Sequence, residues 1–183
     1  MRRLHHPVHG TGPLLVVALC ACGLQLEPKI SRSDPPLPTS GYVGGVFSKD
    51  ISERFGFRLR NEQSNESYVL EIDDEPVSLI AVRPGRYHVE SWLTRGGLDR
   101  GTWLEQVIVG TEPLTDSFDV QAGQAILLGE WRADRHIKHP EEPYKYTFTL
   151  FEVRITEPGA IRMLYEAYPR FVNVPAKCLH CLQ

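Results

Sequence analysis

The 183-residue chain is 42% hydrophobic, so it has enough apolar material to bury the core of one globular domain. Its 20 basic and 23 acidic residues give a formal net charge of -3 and are spread along the chain. Because no cluster of lysine and arginine is present to neutralise a row of phosphates, we expect no nucleic-acid partner. The 14 prolines and 15 glycines separate short apolar runs, which is typical of β-sandwiches and barrels.

The first 21 residues have the layout of an export signal. Arg2 and Arg3 give a positively charged start, and residues 14–21 form an apolar run that ends in small residues. Because a helix needs about 20 apolar residues to cross a bilayer, this run is too short for a permanent transmembrane anchor. The alternative is a buried strand or helix of the mature fold, which the proline-rich polar sequence that follows disfavours. We therefore predict a cleaved signal peptide at residues 1–21.

The end of the apolar run carries a short motif with two cysteines. The residues Leu19-Cys20-Ala21-Cys22 resemble the lipobox of bacterial lipoproteins. The resemblance implies that Cys22 is acylated, because a cut before Cys20 would place the unsuitable Leu19 directly before it. It also implies delivery to the outer membrane, since Gly23 stands where inner-membrane lipoproteins have aspartate. Several acyl chains, each contributing about 0.8 kcal/mol per buried methylene, would attach the protein stably to a membrane.

Residues 22–41 are predicted to be a lipidated N-terminus followed by an extended tether. Four prolines and alternating charges lie between Leu24 and Gly41 with no apolar period, which is typical of a spacer that is partly polyproline II. The alternative is an edge strand at residues 24–30, which Pro28 disfavours. We expect the tether to hold a domain of residues 42–183 off the membrane.

From residue 42 onward, apolar and polar side chains alternate as they do on the two faces of a β-strand. Phe57 and Leu59 face one way, whereas Arg58 and Arg60 face the other. The predicted strands are residues 42–48, 55–60, 67–72, 77–82, 86–94, 105–109, 117–120, 125–131 and 144–155. Because each strand must bury one face, this series favours two packed sheets. The predicted fold is mostly β, an antiparallel β-sandwich of about seven to nine strands.

Turn residues predict how some of these strands pair. The polar residues 61–66 join two alternating strands into an antiparallel hairpin. Pro84 and Gly85 supply a tight turn that predicts a second hairpin. Residues 77–82, which lead into that turn, are apolar almost throughout and suit a central strand.

One short helix is predicted near the C-terminus, at about residues 158–168. The residues Thr156-Glu157-Pro158 are typical of a helix start, and Pro169 ends the helix. Apolar side chains recur at helical spacing between these limits, so we expect the helix to pack on the sandwich.

Two segments resemble parts of a known group of β-sandwich modules. Residues 79–89 (LIAVRPGRYHV) resemble the hydrophobic strand, Pro-Gly turn and aromatic strand of transthyretin-like and carboxypeptidase-regulatory-like modules. Residues 118–129 (FDVQAGQAILLG) resemble the strand, glycine turn and strand of the same modules. The resemblance implies a fold and no activity, because sandwiches of this type serve mostly as binding or spacing modules.

Two cysteines and a histidine lie close to the C-terminus. If Cys20 leaves with the signal and Cys22 is acylated, Cys178 and Cys181 are the remaining thiols, and in an oxidising compartment we expect a local disulfide between them. Two alternatives stay open. A thiol-redox role requires the first cysteine at a helix N-terminus. A metal site would use both thiolates, His180 and a further ligand.

Other histidines and the tryptophans are further candidates. His136 and His139 lie in a charged loop at residues 134–140 and could complete such a metal site, although loop histidines are usually solvated. A platform for sugars or peptides could be formed by Trp92, Trp103 and Trp131. Large aromatic side chains in a sandwich more often belong to the core, so we expect core packing.

The sequence also contains a short acidic run. The acidic residues are Glu71, Asp73, Asp74 and Glu75. They lack the glycine-punctuated loop of a calcium site, so we expect a solvated turn. The sequence contains no Gly-x-Ser-x-Gly elbow, His-Glu-x-x-His helix or phosphate-binding glycine loop. We therefore expect no enzyme and no cofactor.

The sequence as a whole predicts a membrane-anchored envelope lipoprotein whose domain is a non-catalytic binding or scaffolding module. Its expected partners are the membrane, through the N-terminal lipid, and an envelope protein or glycan. The alternative is a thiol-redox or metal-handling protein that acts through Cys178, His180 and Cys181.

Overall fold

The computed structural model describes residues 29–48, 54–72, 75–95, 103–106, 114–137 and 146–183. The predicted signal peptide and Cys22 lie outside these residues. The described part of the chain forms two five-stranded sheets and one α-helix, so the expectation of a mostly β protein is confirmed.

The strands divide between the sheets as follows. Sheet I contains β1 (Gly41–Phe47), β4 (Val77–Val82), β8 (Ala125–Ile137), β9 (Tyr146–Val153) and β10 (Ala176–Cys178). Sheet II contains β2 (Arg54–Asn61), β3 (Ser67–Ile72), β5 (Gly85–Arg95), β6 (Trp103–Gln106) and β7 (Phe118–Val120). Strands occur in all nine predicted segments, and β10 is a described strand that lies outside them.

Sheet I is mixed rather than antiparallel throughout. Its order is β10-β8-β1-β4, and β8 runs parallel to both β1 and β10. One edge of β8 pairs with two strands in succession, with β10 along residues 125–127 and with β9 along residues 130–137. The parallel pairs arise because long connections bring the chain back to β8 in the same direction, which a tight hairpin cannot do.

The two predicted hairpins have different outcomes. β2 and β3 pair antiparallel from Phe55 with Ile72 to Arg60 with Ser67, as expected. The second prediction is wrong, because β4 pairs with β1 in sheet I while β5 belongs to sheet II. Pro84 therefore lies where the chain crosses between sheets. A side chain on Gly85 would meet Asn61 Nδ2 at 2.6 Å, so this glycine permits a close approach.

A large apolar cluster contains side chains from both sheets. Sheet I supplies residues such as Phe47, Ile80 and Trp131, and sheet II supplies residues such as Phe57 and Leu70. We call this cluster the intersheet core. It follows the predicted alternation on β2, where the apolar side chains point into the core.

A second apolar cluster covers the other face of sheet I. Helix α1 (Glu157–Ala167) and a 3-10 helix (Pro169–Phe171) supply Leu164 and Phe171, which pack against sheet I residues such as Leu79 and Leu127. We call this cluster the helix-side core. The predicted helix is confirmed, with Thr156 as its N-cap accepting a hydrogen bond from the Gly159 N–H at 3.3 Å.

The apolar character of β4 has a different cause from the one predicted. Ile80 belongs to the intersheet core and Leu79 to the helix-side core, so both faces of the strand are buried. β4 nevertheless stands at the end of the strand order of sheet I and is not central.

Part of the predicted tether lies against sheet I. Lys29 forms an antiparallel bridge with Ile80, and the Ile30 N–H donates to the Leu79 carbonyl at 3.0 Å. Ile30 also packs on the helix-side core. Lys29 and Ile30 are therefore in contact with the packed body.

Candidate functional site at the C-terminal tail

The C-terminal tail is held on β8 and on the first turn of α1. Cys178 pairs with Leu127 in register, and the Leu179 N–H donates to the Leu127 carbonyl at 2.9 Å. The Cys178 N–H donates to Glu157 Oε1, also at 2.9 Å. These hydrogen bonds from the N–H groups of Cys178 and Leu179 hold Cys178 in place, so β10 positions the first cysteine of the pair.

Gly129 allows the tail to cross β8. Its φ is +104°, and a Cβ at this position would lie 2.8 Å from the backbone oxygen of His180. It also stands between the part of β8 that pairs with β10 and the part that pairs with β9. A larger residue would meet both backbone strain and the tail itself.

The sulfur atoms of Cys178 and Cys181 lie at disulfide bonding distance, in the pairing that the sequence predicts, with Cα atoms 5.6 Å apart. Cys178 is buried in the helix-side core, and Cys181 packs against it. Thiols joined in this way supply no thiolate to a metal. Cys178 ends a strand, and residues 179–183 contain no helix. Cys178 therefore does not lie at a helix N-terminus, the position of the first cysteine in a thioredoxin-like site.

His180 packs against aromatic and acidic neighbours. Its ring lies edge to face with Trp131, with centroids 5.9 Å apart, and its Nδ1 lies 3.6 Å from Glu152 Oε1. Among the described residues, no group of three or more histidine, cysteine, aspartate and glutamate side chains could hold a metal ion. The placement of His180 supports packing of the tail rather than ligation.

The structure describes the backbone of one of the two other histidine candidates. His136 lies in β8 with its backbone paired to Thr147, so the prediction of a loop there is wrong. β8 continues beyond its predicted end because β9 extends alongside it. His139 lies outside the described residues.

Two of the three tryptophans belong to the core. Trp92 is 7% exposed and Trp131 is 6% exposed, and both contribute to the intersheet core. The Trp131 Nε1–H donates to the Leu128 carbonyl at 3.0 Å, which satisfies its polar atom. These two side chains cannot form an exposed platform. The Trp103 side chain lies outside the described part of the chain.

The acidic run is divided by the fold. Glu75 forms an ion pair with Arg32, and Glu71 lies on β3. Asp73 and Asp74 are not among the described residues. The pair with Arg32 links one member of the run to residues 29–40.

A polar cluster on sheet II was not predicted. Glu62 accepts a hydrogen bond from the Ser117 hydroxyl, and it lies 3.1 Å from His88 Nδ1 and 3.2 Å from Arg86 Nε. The hydrogen bonds from Ser117 and His88 hold the pKa of Glu62 below its ordinary value. A serine nucleophile needs the histidine between itself and the carboxylate. Here the carboxylate stands between them, so the cluster provides no activated serine.

Two buried tyrosines occupy the corner where the chain enters sheet II. The Tyr87 hydroxyl donates to the Arg83 carbonyl at 2.6 Å, and the Tyr68 hydroxyl donates to Glu66 Oε2 at 3.1 Å. Burial raises the pKa of both phenols above the ordinary value for tyrosine. They therefore stay protonated and serve as hydrogen-bond donors.

Comparisons with protein-family models, with curated proteins and with solved structures returned no match to this chain. Within the described residues, no helix combines the length and the apolar character needed to cross a membrane.

The tail disulfide is expected to stabilise the fold modestly. Replacing both cysteines (Cys178→Ala with Cys181→Ala) should lower the free energy of unfolding by about 2 kcal/mol, because a small ring restricts the unfolded chain only slightly. Urea unfolding gives the stability change, and hydrogen exchange at Leu179 and Leu182 should become faster. Reduced wild-type protein is the control and should behave like the variant. A wild-type mass that corresponds to two free thiols would contradict the disulfide.

Proposed function

We propose that the protein is a membrane-anchored lipoprotein of the bacterial envelope, delivered to the outer membrane, whose domain binds or scaffolds other molecules without catalysis. The observation that carries the proposal is the apolar run at residues 14–21 followed by Cys22, with Lys29, seven residues later, already bridged to sheet I. A lipid on Cys22 would hold the domain directly at a membrane surface.

The domain in this proposal is a β-sandwich in which sheets I and II pack face to face. The intersheet core, which draws on both sheets, supports this arrangement. The helix layer then forms a third layer over sheet I. The resemblance to transthyretin-like modules includes a hairpin at residues 79–89. Because β4 and β5 lie in different sheets, they do not form this hairpin, and the proposal does not rest on that resemblance.

A binding or scaffolding role is supported by what the reactive side chains do. Cys178 is buried in the helix-side core, His180 packs on Trp131, and Glu62 is held by its ion pairs and hydrogen bonds. Each of these groups has a structural partner. The burial of Trp92 and Trp131 removes two of the rings on which a glycan could stack. This favours an envelope protein over a glycan as the partner of the domain.

The alternative function is that of a thiol-redox or metal-handling protein, which would act through the C-terminal tail. It requires a reactive, low-pKa thiol at Cys178 or Cys181, or a stoichiometric metal held with His180. Either result on the purified protein would replace the binding proposal. An inert disulfide without metal would remove the alternative.

The proposal is tested by expressing the full chain in a bacterium and measuring the mass and location of the product. We expect a protein that begins at Cys22, carries acyl chains and sediments with membranes. The variant Cys22→Ser should lose acylation and membrane attachment almost completely, because a single cysteine carries the lipid. Cys20→Ser is the matched control and should remain acylated. A wild-type product that retains an unmodified Met1 would refute the proposal.

A further inference from the structure

Two proline-flanked segments of the domain each expose one large apolar side chain, residues 35–38 (PPLP) and residues 169–175 (PRFVNVP). Leu37 is 51% exposed and Val172 is 56% exposed, which makes them the two most exposed large apolar side chains among the described residues. The prolines that begin and end both segments, at 35, 38, 169 and 175, are exposed as well. We call the two segments together the anchor-end surface.

The two segments are joined through one buried tyrosine. The Tyr42 hydroxyl accepts a hydrogen bond from the Leu37 N–H and donates one to the Leu37 carbonyl at 3.2 Å. The Tyr42 ring packs edge to face with Phe171, with centroids 4.8 Å apart, and Phe171 directly precedes Val172. Both segments are therefore held at the end of sheet I where β1 begins.

The chain enters the described body from the same end. Lys29 runs antiparallel to β4 and bridges Ile80, while the end of β4, Val82, pairs with Gly41 at the start of β1. The direction of the chain from Ile30 back to Lys29 therefore points toward the Val82 end of β4. Cys22 lies seven residues before Lys29, and a chain of that length spans at most about 25 Å. A lipid on Cys22 would keep this end of the domain next to the membrane.

The charge of residues 168–183 also fits a lipid surface, whereas Asp34 borders the other segment. Arg170 lies within it and Lys177 follows it, and both are exposed. Residues 168–183 contain no aspartate or glutamate. Cations beside exposed apolar side chains suit the boundary between lipid phosphates and acyl chains.

We propose that the anchor-end surface rests on the lipid bilayer to which Cys22 is attached. Leu37 and Val172 enter the headgroup region, and Arg170 faces the phosphates. This inference rests on the proposed acylation of Cys22. It adds an orientation, in which β8 begins at the membrane and leads away from it.

The test places a fluorescent thiol label at single sites of the acylated protein in vesicles of phosphatidylethanolamine and phosphatidylglycerol that contain nitroxide-labelled headgroups. The labelled variants are Leu37→Cys and Val172→Cys, prepared without reductant so that Cys178 and Cys181 stay paired. Phe151→Cys is the matched control, because Phe151 is also an exposed apolar residue at 38%. It pairs with Arg132 on β8, about 20 Å along the strand from Ala125.

We expect the nitroxide lipids to quench the labels at 37 and 172 about fivefold or more strongly than the label at 151. Equal quenching at the three sites, with the protein still acylated and in the vesicles, would overturn the orientation and leave the proposed function intact. A protein that carries no acyl chain and stays in the soluble fraction would overturn both. Shielding of the two sites in native membranes without quenching in vesicles would indicate a protein partner on this surface and would also overturn the inference.

Discussion

Replacing Phe57 with alanine is expected to lower the free energy of unfolding by about 3–5 kcal/mol, the cost typical of removing a buried aromatic side chain. Phe57 is 1% exposed in the intersheet core. Its ring lies 5.5 Å from that of Trp131 on sheet I and 6.1 Å from that of Phe55 on its own strand. The substitution would leave a cavity and remove an aromatic contact between the two sheets.

Urea unfolding of the purified protein measures this effect, and Phe151→Ala is the control. Phe151 is 38% exposed, and the Arg132 guanidinium lies over its ring, with Arg132 Cζ 5.3 Å from the centroid of the Phe151 ring. Loss of that exposed contact should cost no more than about 1 kcal/mol. Similar losses for Phe57→Ala and Phe151→Ala would show that the sheets do not depend on a shared core.

The elements predicted well from the sequence are those whose signals are local. On β2, Phe57 and Leu59 alternate with Arg58 and Arg60, and the polar turn at residues 61–66 joins neighbouring segments. The hairpin with β3 therefore needs no information from distant parts of the chain. Local signals also predict the helix, namely its N-cap residue and the proline that ends it.

The failed predictions concern which strand lies beside which. The turn at Pro84 looks the same whether the chain forms a hairpin or crosses between sheets, and the choice depends on the edge that β1 offers to β4. Residues 29–40 contain a single large apolar residue that packs, Ile30, so their attachment to the outer edge of β4 has no periodic signal.

The candidate sites also differ in how far apart their residues lie in the sequence. Cys178 and Cys181 are three residues apart, so their pairing is a local matter that the sequence can predict. The Glu62 cluster joins Glu62 to His88, 26 residues away, and to Ser117, 55 residues away. No spacing rule connects these residues, because the strand order of sheet II brings them together.

Replacing Phe171 with alanine is expected to cost about 3–5 kcal/mol as well, through the other core. Phe171 is fully buried in the helix-side core, where its ring meets those of Tyr42 at 4.8 Å and Tyr168 at 5.9 Å. Its neighbour Val172, at 56% exposure, is the matched control. Val172→Ala should change the free energy of unfolding by less than about 0.5 kcal/mol. Equal effects at the two positions would contradict the burial of Phe171.

A single urea transition is expected in all these variants, because β1 contributes Val43 to the intersheet core and Tyr42 to the helix-side core. Sheet I therefore cannot lose the helix layer without exposing a buried face. The milder substitutions Phe57→Leu and Phe171→Leu, each costing about 1 kcal/mol, affect the two cores on opposite faces of sheet I. Their effects should add within about 0.5 kcal/mol. Rapid hydrogen exchange confined to α1 in Phe171→Leu, with no loss of global stability, would show that the helix layer opens independently of the sheets.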